Sequence, residues 1–448
     1  MHERLVGRAG PRRLRELEWS QWWSPDELRS LQARKLLELL RHAMAHTRFY
    51  RERIGRDDVR NLDDDPLSAL RRLPLLDKAQ IRRSIGDLVW QDAPGGVYES
   101  NTGGSTGEPL TFYFDRRRQA YDQAARARTH RWFGVDVGAR ELYLWGSPLE
   151  LKRSDAIRRL RDRLMNQRLL DAFNLSDERM DRYLRAWDRF RPVCLFGYPS
   201  SIALFASHAR RRGHALDTRR LRAVFVTGEV CYPHDRRMIA ECFGVPVADG
   251  YGSREAGFIA HECPEGGMHV TAENVIVEIV NDGEPAATGE SGEIVVTHLD
   301  AYAMPFVRYR TGDVGRLLPG RCACGRGLPL MDVVQGRSTD FLRLPDGNVR
   351  HALSIVYPLR ELRGVERFRV TQHEDYAVTV DVVGGDGAER VTKEAVARCV
   401  RPVLGDDLAL TVAMVPSIET PESGKHRYVV SHVRPTSFVD PPNEVTHA

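Results

Sequence analysis

The segment Ser100 to Asp115, SNTGGSTGEPLTFYFD, concentrates glycines and hydroxyls that could do chemistry. Glycines let backbone N–H groups approach phosphate oxygens closely, and hydroxyls add donors. Gly103, Gly104, Ser105, Thr106 and Gly107 could therefore wrap a polyphosphate. A Walker-type loop needs a lysine after its last glycine, where Glu108 and Pro109 stand here. The dinucleotide fingerprint needs G-x-G-x-x-G opening a helix, and that spacing is absent. The G-x-S-x-G pattern around Ser105 would suit a serine hydrolase only between a strand and a helix. Pro109 and the strand-like run Leu110–Phe114 follow instead. An ordinary hairpin turn is the competing reading of the loop alone.

Companions decide between these readings. DGYGSREAG (249–257), YRTGD (309–313), GRSTD (336–340) and ESGKHR (422–427) follow TGGSTGEP (102–109) in order. Taken singly, Asp313 reads as a turn aspartate, Lys425 as a solvated surface lysine and Arg337 as an ion-pair residue. The ordered set resembles the adenylate-forming superfamily. It resembles more narrowly the phenylacetate–CoA ligase branch and its relatives in capsule and natural-product clusters. SQWWSPDELRSLQARKLLELLRHAMAHTRFYRERIG, from Ser20, resembles that branch too, so the likeness runs to about Val433.

The resemblance implies roles residue by residue. Gly103 to Gly107 would hold the ATP β- and γ-phosphates. Thr227, Gly228 and Glu229 would flank the adenine, and Asp249, Tyr251, Gly252 and Ser253 would lie near the adenine and the acyl-AMP linkage. Glu255 would help to hold Mg2+, Asp313 would bind the ribose hydroxyls, Arg337 would sit at a hinge, and Lys425 would be a mobile catalytic lysine. The family usually carries threonine or serine where this chain has Arg254. The implied reaction makes an acyl-AMP and pyrophosphate, then passes the acyl group to a thiol, CoA first of all. An amine, or a carrier protein supplied in trans, is the alternative acceptor. A non-catalytic nucleotide- or acid-binding protein on the same scaffold is the reading from another class.

Such chemistry explains these residue types. A carboxylate is an inert acyl donor until its oxygen is attached to the ATP α-phosphate. The transition state spreads negative charge over phosphorus oxygens, so positioning and positive charge dominate. A lysine on a swinging domain can serve adenylation and withdraw for transfer. Trp145 and Ser147, then Phe196, Gly197, Tyr198 and Pro199, lie at expected strand ends and would suit a flat acid, although Trp145 and Phe196 read equally well as core.

Cysteines and histidines gather at HECPEGGMH (261–269) and CACG (322–325). Cys263, His269, Cys322 and Cys324 form a Cys3His set suited to a structural zinc, with His261 as a rival ligand. Cys194, Cys231, Cys242 and Cys399 sit in apolar patterns where burial suffices.

The elements that must position these groups are legible as well. RELYLWGS (140–147), VCLFGYPS (193–200), LRAVFVTGE (221–229) and VPVADGYGS (245–253) read as apolar strands ending in small-residue loops. Helical stretches over 177–190 and 200–212 separate them, which predicts an α/β fold with parallel strands and ligands at their carboxyl ends. Leu28, Leu31, Leu36, Leu37, Leu40 and Ala43 recur at helical spacing after Ser24 and Pro25, a start signal. From Glu273 the texture turns β-rich. The expected division is an adenylation domain over 1–339, a small mobile α+β domain over 340–435 and a disordered tail over 436–448. Within the small domain, 366–371, 377–383 and 408–415 read as strands and 393–400 as a helix.

Bulk composition is compatible with all this. The 448 residues carry 66 basic against 62 acidic side chains, net +4, with the arginines dispersed, which argues against a nucleic-acid footprint. No apolar run approaches the roughly 20 residues of a membrane helix, and the first residues lack a signal-peptide core. A cytoplasmic protein, monomeric or homodimeric, is the expectation, and seven cysteines do not read as a disulfide framework.

Overall fold

A computed structural model describes residues 10–55, 65–102, 110–145, 162–172, 175, 177–332, 341–345, 349–351, 355, 358–359, 362–385, 391–405, 408–419 and 428–433. The chain forms two compact units, residues 1–311 with 315–334, and residues 335–448 with the strand segment 312–314.

The first unit opens with the helix Gly10–Ser20 and then the helix Pro25–His46. Ser24 caps the latter through a full capping box with Glu27, and Pro25 takes the first turn, where no N–H is needed. The helical spacing runs on to Arg53, yet the helix breaks at Thr47. That residue is extended, and its hydroxyl accepts from Tyr50 N, starting the short helix Arg48–Arg53. A polar side chain that caps competes with helix continuation.

Strands β1 (Tyr98–Asn101) and β2 (Thr111–Phe114) pair antiparallel, so the glycine-rich segment joins the arms of a hairpin. The helix Arg116–Arg131 comes only after β2. This context removes the hydrolase elbow as a reading of Ser105. Next come β3 (Glu141–Trp145), β4 (Gln167–Asp171), β5 (Cys194–Gly197), β6 (Ala223–Thr227) and β7 (Val247–Ser253). These five are parallel, in the order β4-β3-β5-β6-β7. β5, β6 and the first half of β7 are buried on both faces, as central parallel strands require, whereas β3 alternates and the outer β4 is mostly half-buried. Leu144, Leu195, Val224 and Val226 pack in one core with residues of the helices Asp177–Phe190, Pro199–Arg211 and Pro233–Phe243. Cys194, Ala223, Phe225 and Ala248 form a second core with Val135.

At β7 the sheet reverses its sense. β8 (Gly257–Glu262) and β9 (Met268–Val270) run antiparallel. β10 (Val275–Asn281), β11 (Glu284–Pro285), β12 (Gly292–His298) and β13 (Tyr309–Gly315) make the four-stranded sheet expected from the β-rich texture. β14 (Leu317–Leu318) and β15 (Leu330–Met331) complete the nine-stranded sheet beside β9.

In the second unit, β16 (Phe341–Arg343) and β17 (Val349–His351) form a hairpin. β18 (Val365–Gln372), β19 (Val378–Gly384), β20 (Leu410–Met414) and β21 (Val429–Ser431) form a sheet in the order β20-β19-β18-β21, with the helix Lys393–Leu404. Among the described residues no helix is long and apolar enough to cross a membrane.

Candidate active site and metal centre

The ends of β3, β5, β6 and β7 converge on one edge of the sheet. β5 closes on Gly197, where a Cβ would stand 2.3 Å from the Leu144 carbonyl oxygen, so only glycine fits the strand crossing. Tyr198 follows and stacks on Trp145, with ring centroids 4.1 Å apart at 17°. Phe196 lies 5.5 Å from the Trp145 ring. Gly228 adopts φ +82°, and a Cβ there would approach Tyr198 to 3.0 Å and Trp145 to 3.4 Å. Its bare backbone thus faces the stacked rings. Pro199 opens the helix that follows β5, and Ser200 beside it donates to Glu229 Oε2 from Oγ at 2.6 Å and from N at 3.4 Å. Glu229 therefore caps the start of that helix, where a carboxylate meets the positive end of the dipole. Thr227 Oγ1 donates to the Gly250 carbonyl.

The segment Asp249–Gly257 turns β7 back into β8. Gly252 has no room for a side chain, the Gly257 carbonyl being 2.6 Å from any added Cβ. Gly257 itself takes φ +85° with the His298 ring 2.7 Å from its would-be Cβ. Ser253 Oγ accepts from Ala256 N at 2.9 Å. Arg118, buried on the helix Arg116–Arg131, donates to the Arg254 carbonyl at 2.7 Å. Arg254 Nη1 donates to the Asn101 carbonyl at 3.2 Å, tying this turn to the root of the glycine-rich hairpin. Glu255 is buried, and its Oε1 accepts from Tyr309 Oη at 3.0 Å. Tyr251 is half-buried on the same strand.

Asp249 is buried on β7. It lies with Glu262, whose Oε2 accepts from Asp249 N and from Arg236, both at 2.9 Å. Burial, with Glu262 adding, pushes its carboxyl up to about 7. Asp313 is buried on β13. The remaining expected site residues, Gly103 to Gly107, Ser147, Arg337 and Lys425, lie outside the described residues. The clamps formed by Arg118 and Tyr309 were not read from the sequence. Each is one polar side chain in an otherwise ordinary element, and only the fold pairs it with the turn.

At the antiparallel end of the same sheet, Cys263 follows β8, His269 sits on β9, and Cys322 and Cys324 come from the loop before β15. Their ligand atoms all lie within 4.8 Å of one another. Cys263 Sγ is 3.6 Å from Cys322 Sγ, and Cys324 Sγ is 3.2 Å from His269 Nε2. His269 Nδ1 lies 3.3 Å from the Leu328 carbonyl, which aims Nε2 at the cysteines. Burial pushes the Cys263 thiol up to about 12 and the His269 imidazole down to about 4, leaving the ring neutral at pH 7. His261 stands apart from the four, with Nδ1 at 2.8 Å from the Glu262 carbonyl. Of the remaining cysteines Cys194 and Cys231 are buried, whereas Cys242 and Cys399 are only half-buried.

Known proteins match this arrangement. The family model of AMP-binding enzymes matches residues 168–300, from β4 to just past β12. The phenylacetate-coenzyme A ligase of Escherichia coli K12 is 27% identical over 73% of this chain and 75% of its own. Protein CapK of Staphylococcus aureus is 21% identical over 91% of this chain and 90% of its own. A solved 2-hydroxyisobutyryl-CoA ligase in complex with 2-HIB-AMP superposes with a TM-score of 0.72, covering 91% of this chain and 90% of that one at 19% identity. That last likeness carries the fold, while the sequence relatives carry the kinship. Residues 168–300 thus match the AMP-binding enzymes, and most of the chain is similar in sequence to phenylacetate-coenzyme A ligases and to protein CapK.

Proposed function

We propose that this ligase activates an aromatic or similarly flat carboxylic acid with Mg-ATP and transfers the acyl group to the thiol of coenzyme A. The observation that carries the acid class is the Trp145–Tyr198 stack held against the bare backbone of Gly228 at the strand ends. Rings so arranged offer a flat acid an apolar face to lie against. The E. coli relative bears the name of an arylacetate–CoA ligase, which favours the same class and the same acceptor.

In the first step the acid's carboxylate oxygen attacks the α-phosphorus of ATP, and pyrophosphate leaves with the electrons of the broken P–O bond. In the second step the thiol adds to the acyl carbon, loses its proton and expels AMP. On this reading Thr227 and Gly228 border the adenine, and Glu229 holds that loop through the helix cap. Tyr251 lies near the acyl-AMP linkage, Asp313 takes the ribose hydroxyls, and Gly103 to Gly107 receive the β- and γ-phosphates. Lys425 acts from a small mobile domain over 340–435, and Arg337 sits at the hinge that precedes it. Glu255 suits Mg2+, being a hard oxygen donor whose carboxylate is already oriented by Tyr309 Oη. Bound there, the ion would neutralise charge on the phosphate oxygens.

The cluster of Cys263, His269, Cys322 and Cys324 is read as a structural zinc site. A tetrahedral zinc with its usual bond lengths sets sulfur–sulfur separations of about 3.8 Å and sulfur–nitrogen separations of about 3.5 Å. The 3.6 and 3.2 Å contacts between these side chains come close to those values. The work is assigned to the cytoplasm, where CoA and ATP are at hand.

Pyrophosphate release from Mg-ATP across aryl, aliphatic and amino acids, with and without CoA, tests the proposal. Release with aryl acids that accelerates with CoA is expected. Release driven by aliphatic acids alone would overturn the acid class, and acceleration by an amine instead of CoA would overturn the acceptor.

A further inference from the structure

We infer that, on the ligase reading, Arg126 closes the inner end of the acid site and selects an aromatic acid that carries a hydroxyl on its ring. Arg126 has no part in the reaction as proposed above, which leaves the substituents of the acid open.

Strand register sets the place of Arg126. Glu141, Tyr143 and Trp145 alternate along β3 with the buried Leu142 and Leu144, so all three share one face of the sheet and are half-buried there. Phe196 on β5 pairs with Tyr143 and is half-buried too, its ring 5.4 Å from Tyr143 and 5.5 Å from Trp145. The helix Arg116–Arg131 lays Arg126 over these rings, with Cζ 4.6 Å from the centre of Phe196 and 5.3 Å from that of Tyr143. The guanidinium thus adjoins the ring that meets Trp145, whose stack with Tyr198 is the face assigned to the acid. The Arg126 side chain keeps 30% of its surface open.

A purely structural arginine against a sheet has its donors used. Here Nη2 alone is engaged, donating to Tyr143 Oη at 2.7 Å and to Glu141 Oε2 at 3.2 Å. Nε is buried without a partner, and Nη1 has none among the described residues. An unmade donor beside apolar rings is costly, and an acceptor on a ligand relieves it. Charge decides the kind of acceptor. Glu141 already matches the guanidinium, and its Oε2 also accepts from Tyr143 Oη and from Gln167 Nε2, the latter at 3.3 Å. A second carboxylate on the acid would meet Glu141 with no cation left for it, whereas a hydroxyl accepts from Arg126 without adding charge. The rings of Phe196 and Tyr143 suit an aromatic body beneath that hydroxyl.

Acid-dependent pyrophosphate release tests this with benzoate, phenylacetate and cinnamate, each plain, ring-hydroxylated and ring-carboxylated, on wild type, Arg126→Met and Glu141→Gln. Wild type should favour the best hydroxylated acid over its plain parent about ten- to hundred-fold in kcat/KM, the range of a hydrogen bond to a charged group. Arg126→Met should lose most of that preference, with plain acids affected far less and KM for Mg-ATP little changed. Glu141→Gln leaves the guanidinium unbalanced and should shift preference toward carboxylated acids. Equal losses on plain and hydroxylated acids in Arg126→Met, the mark of a merely structural arginine, would overturn the inference. So would a wild type active on plain aryl acids that gains nothing from a hydroxyl. Should Arg126→Met not fold, Glu141→Gln decides: a shift toward carboxylated acids supports the role, and an unchanged order of acids overturns it. If Mg-ATP binds but no aryl acid drives release, the ligase reading fails on its own. Calorimetry of the same acids then decides on Arg126: tighter binding of hydroxylated acids that is lost in Arg126→Met supports it, and no difference overturns it.

Discussion

The nine-stranded sheet carries two different kinds of site at its two halves. In the parallel half, the ends of β3, β5, β6 and β7 offer bare glycine backbone, stacked rings and a fixed carboxylate, the groups to which the proposed function assigns the substrates. In the antiparallel half, β8, β9 and the loop before β15 bring the ligand atoms of Cys263, His269, Cys322 and Cys324 within 4.8 Å of one another. The cysteine loop is also latched to the N-terminal helices, with Gly327 N donating to the Gln21 carbonyl at 2.9 Å and Arg326 lying 5.0 Å over the Trp22 ring. A parallel edge leaves strand ends free for chemistry, whereas tight antiparallel returns place side chains against one another and suit a local staple. On the proposed reading, one half turns substrate over and the other stays put.

The largest expected break in that contrast is Gly197→Ala. A Cβ 2.3 Å from the Leu144 carbonyl must push β5 off β3, costing about 3 kcal/mol of stability with loss of activity. Thermal melting and the pyrophosphate assay read both; unaltered melting would mean the crossing is looser than described. Stripping metal with a chelator, or Cys322→Ser, should come next. Melting should fall by several degrees and tryptophan fluorescence should change, because Trp132 stands 5.7 Å from His269. ATP affinity should move little, and a large loss of ATP affinity on chelation would break the division between the two halves. Tyr309→Phe should act on the parallel half alone. It should raise the half-saturating Mg2+ concentration about ten-fold while excess Mg2+ restores most of the rate.

The smallest effect concerns Asp249, whose carboxyl burial holds near 7 against an ordinary 3.8. A raised folded value means the fold favours the protonated form. Its contribution to stability is therefore complete below the ordinary value and is lost as pH rises through 7. Asp249→Asn should melt higher than wild type by a degree or two above neutrality, on the order of 1 kcal/mol or less, with the gap closing under acid conditions. A gap that widens on acidification would reverse the sign.

Much of the frame was legible before any coordinates. The apolar runs 140–147, 193–200, 221–229 and 245–253 became β3, β5, β6 and β7, because strands in or near the middle of a covered parallel sheet must be largely apolar. The start signal at Ser24 became a complete capping box, a purely local device. The break at Thr47 escaped because periodicity outlasts the helix there. Cys263, His269, Cys322 and Cys324 could be grouped from spacing, and coordinates separated His261 from them by turning its Nδ1 to the Glu262 carbonyl. Asp249 shares a motif with Tyr251, yet strand register and burial place it beside Glu262 and Arg236. Tyr309 on Glu255 and Arg118 on the Arg254 carbonyl join residues 54 and 136 positions apart, pairings that no local pattern encodes.

The central claim is AMP-forming activation of an acid at the parallel edge. Chromatography of the nucleotides formed from Mg-ATP with an active aryl acid and CoA tests it most directly. The account predicts AMP and pyrophosphate in equal amounts, matched by acyl-CoA, and their loss in Lys425→Ala. ADP and orthophosphate as the products, or an unchanged yield of AMP in folded Lys425→Ala, would contradict it.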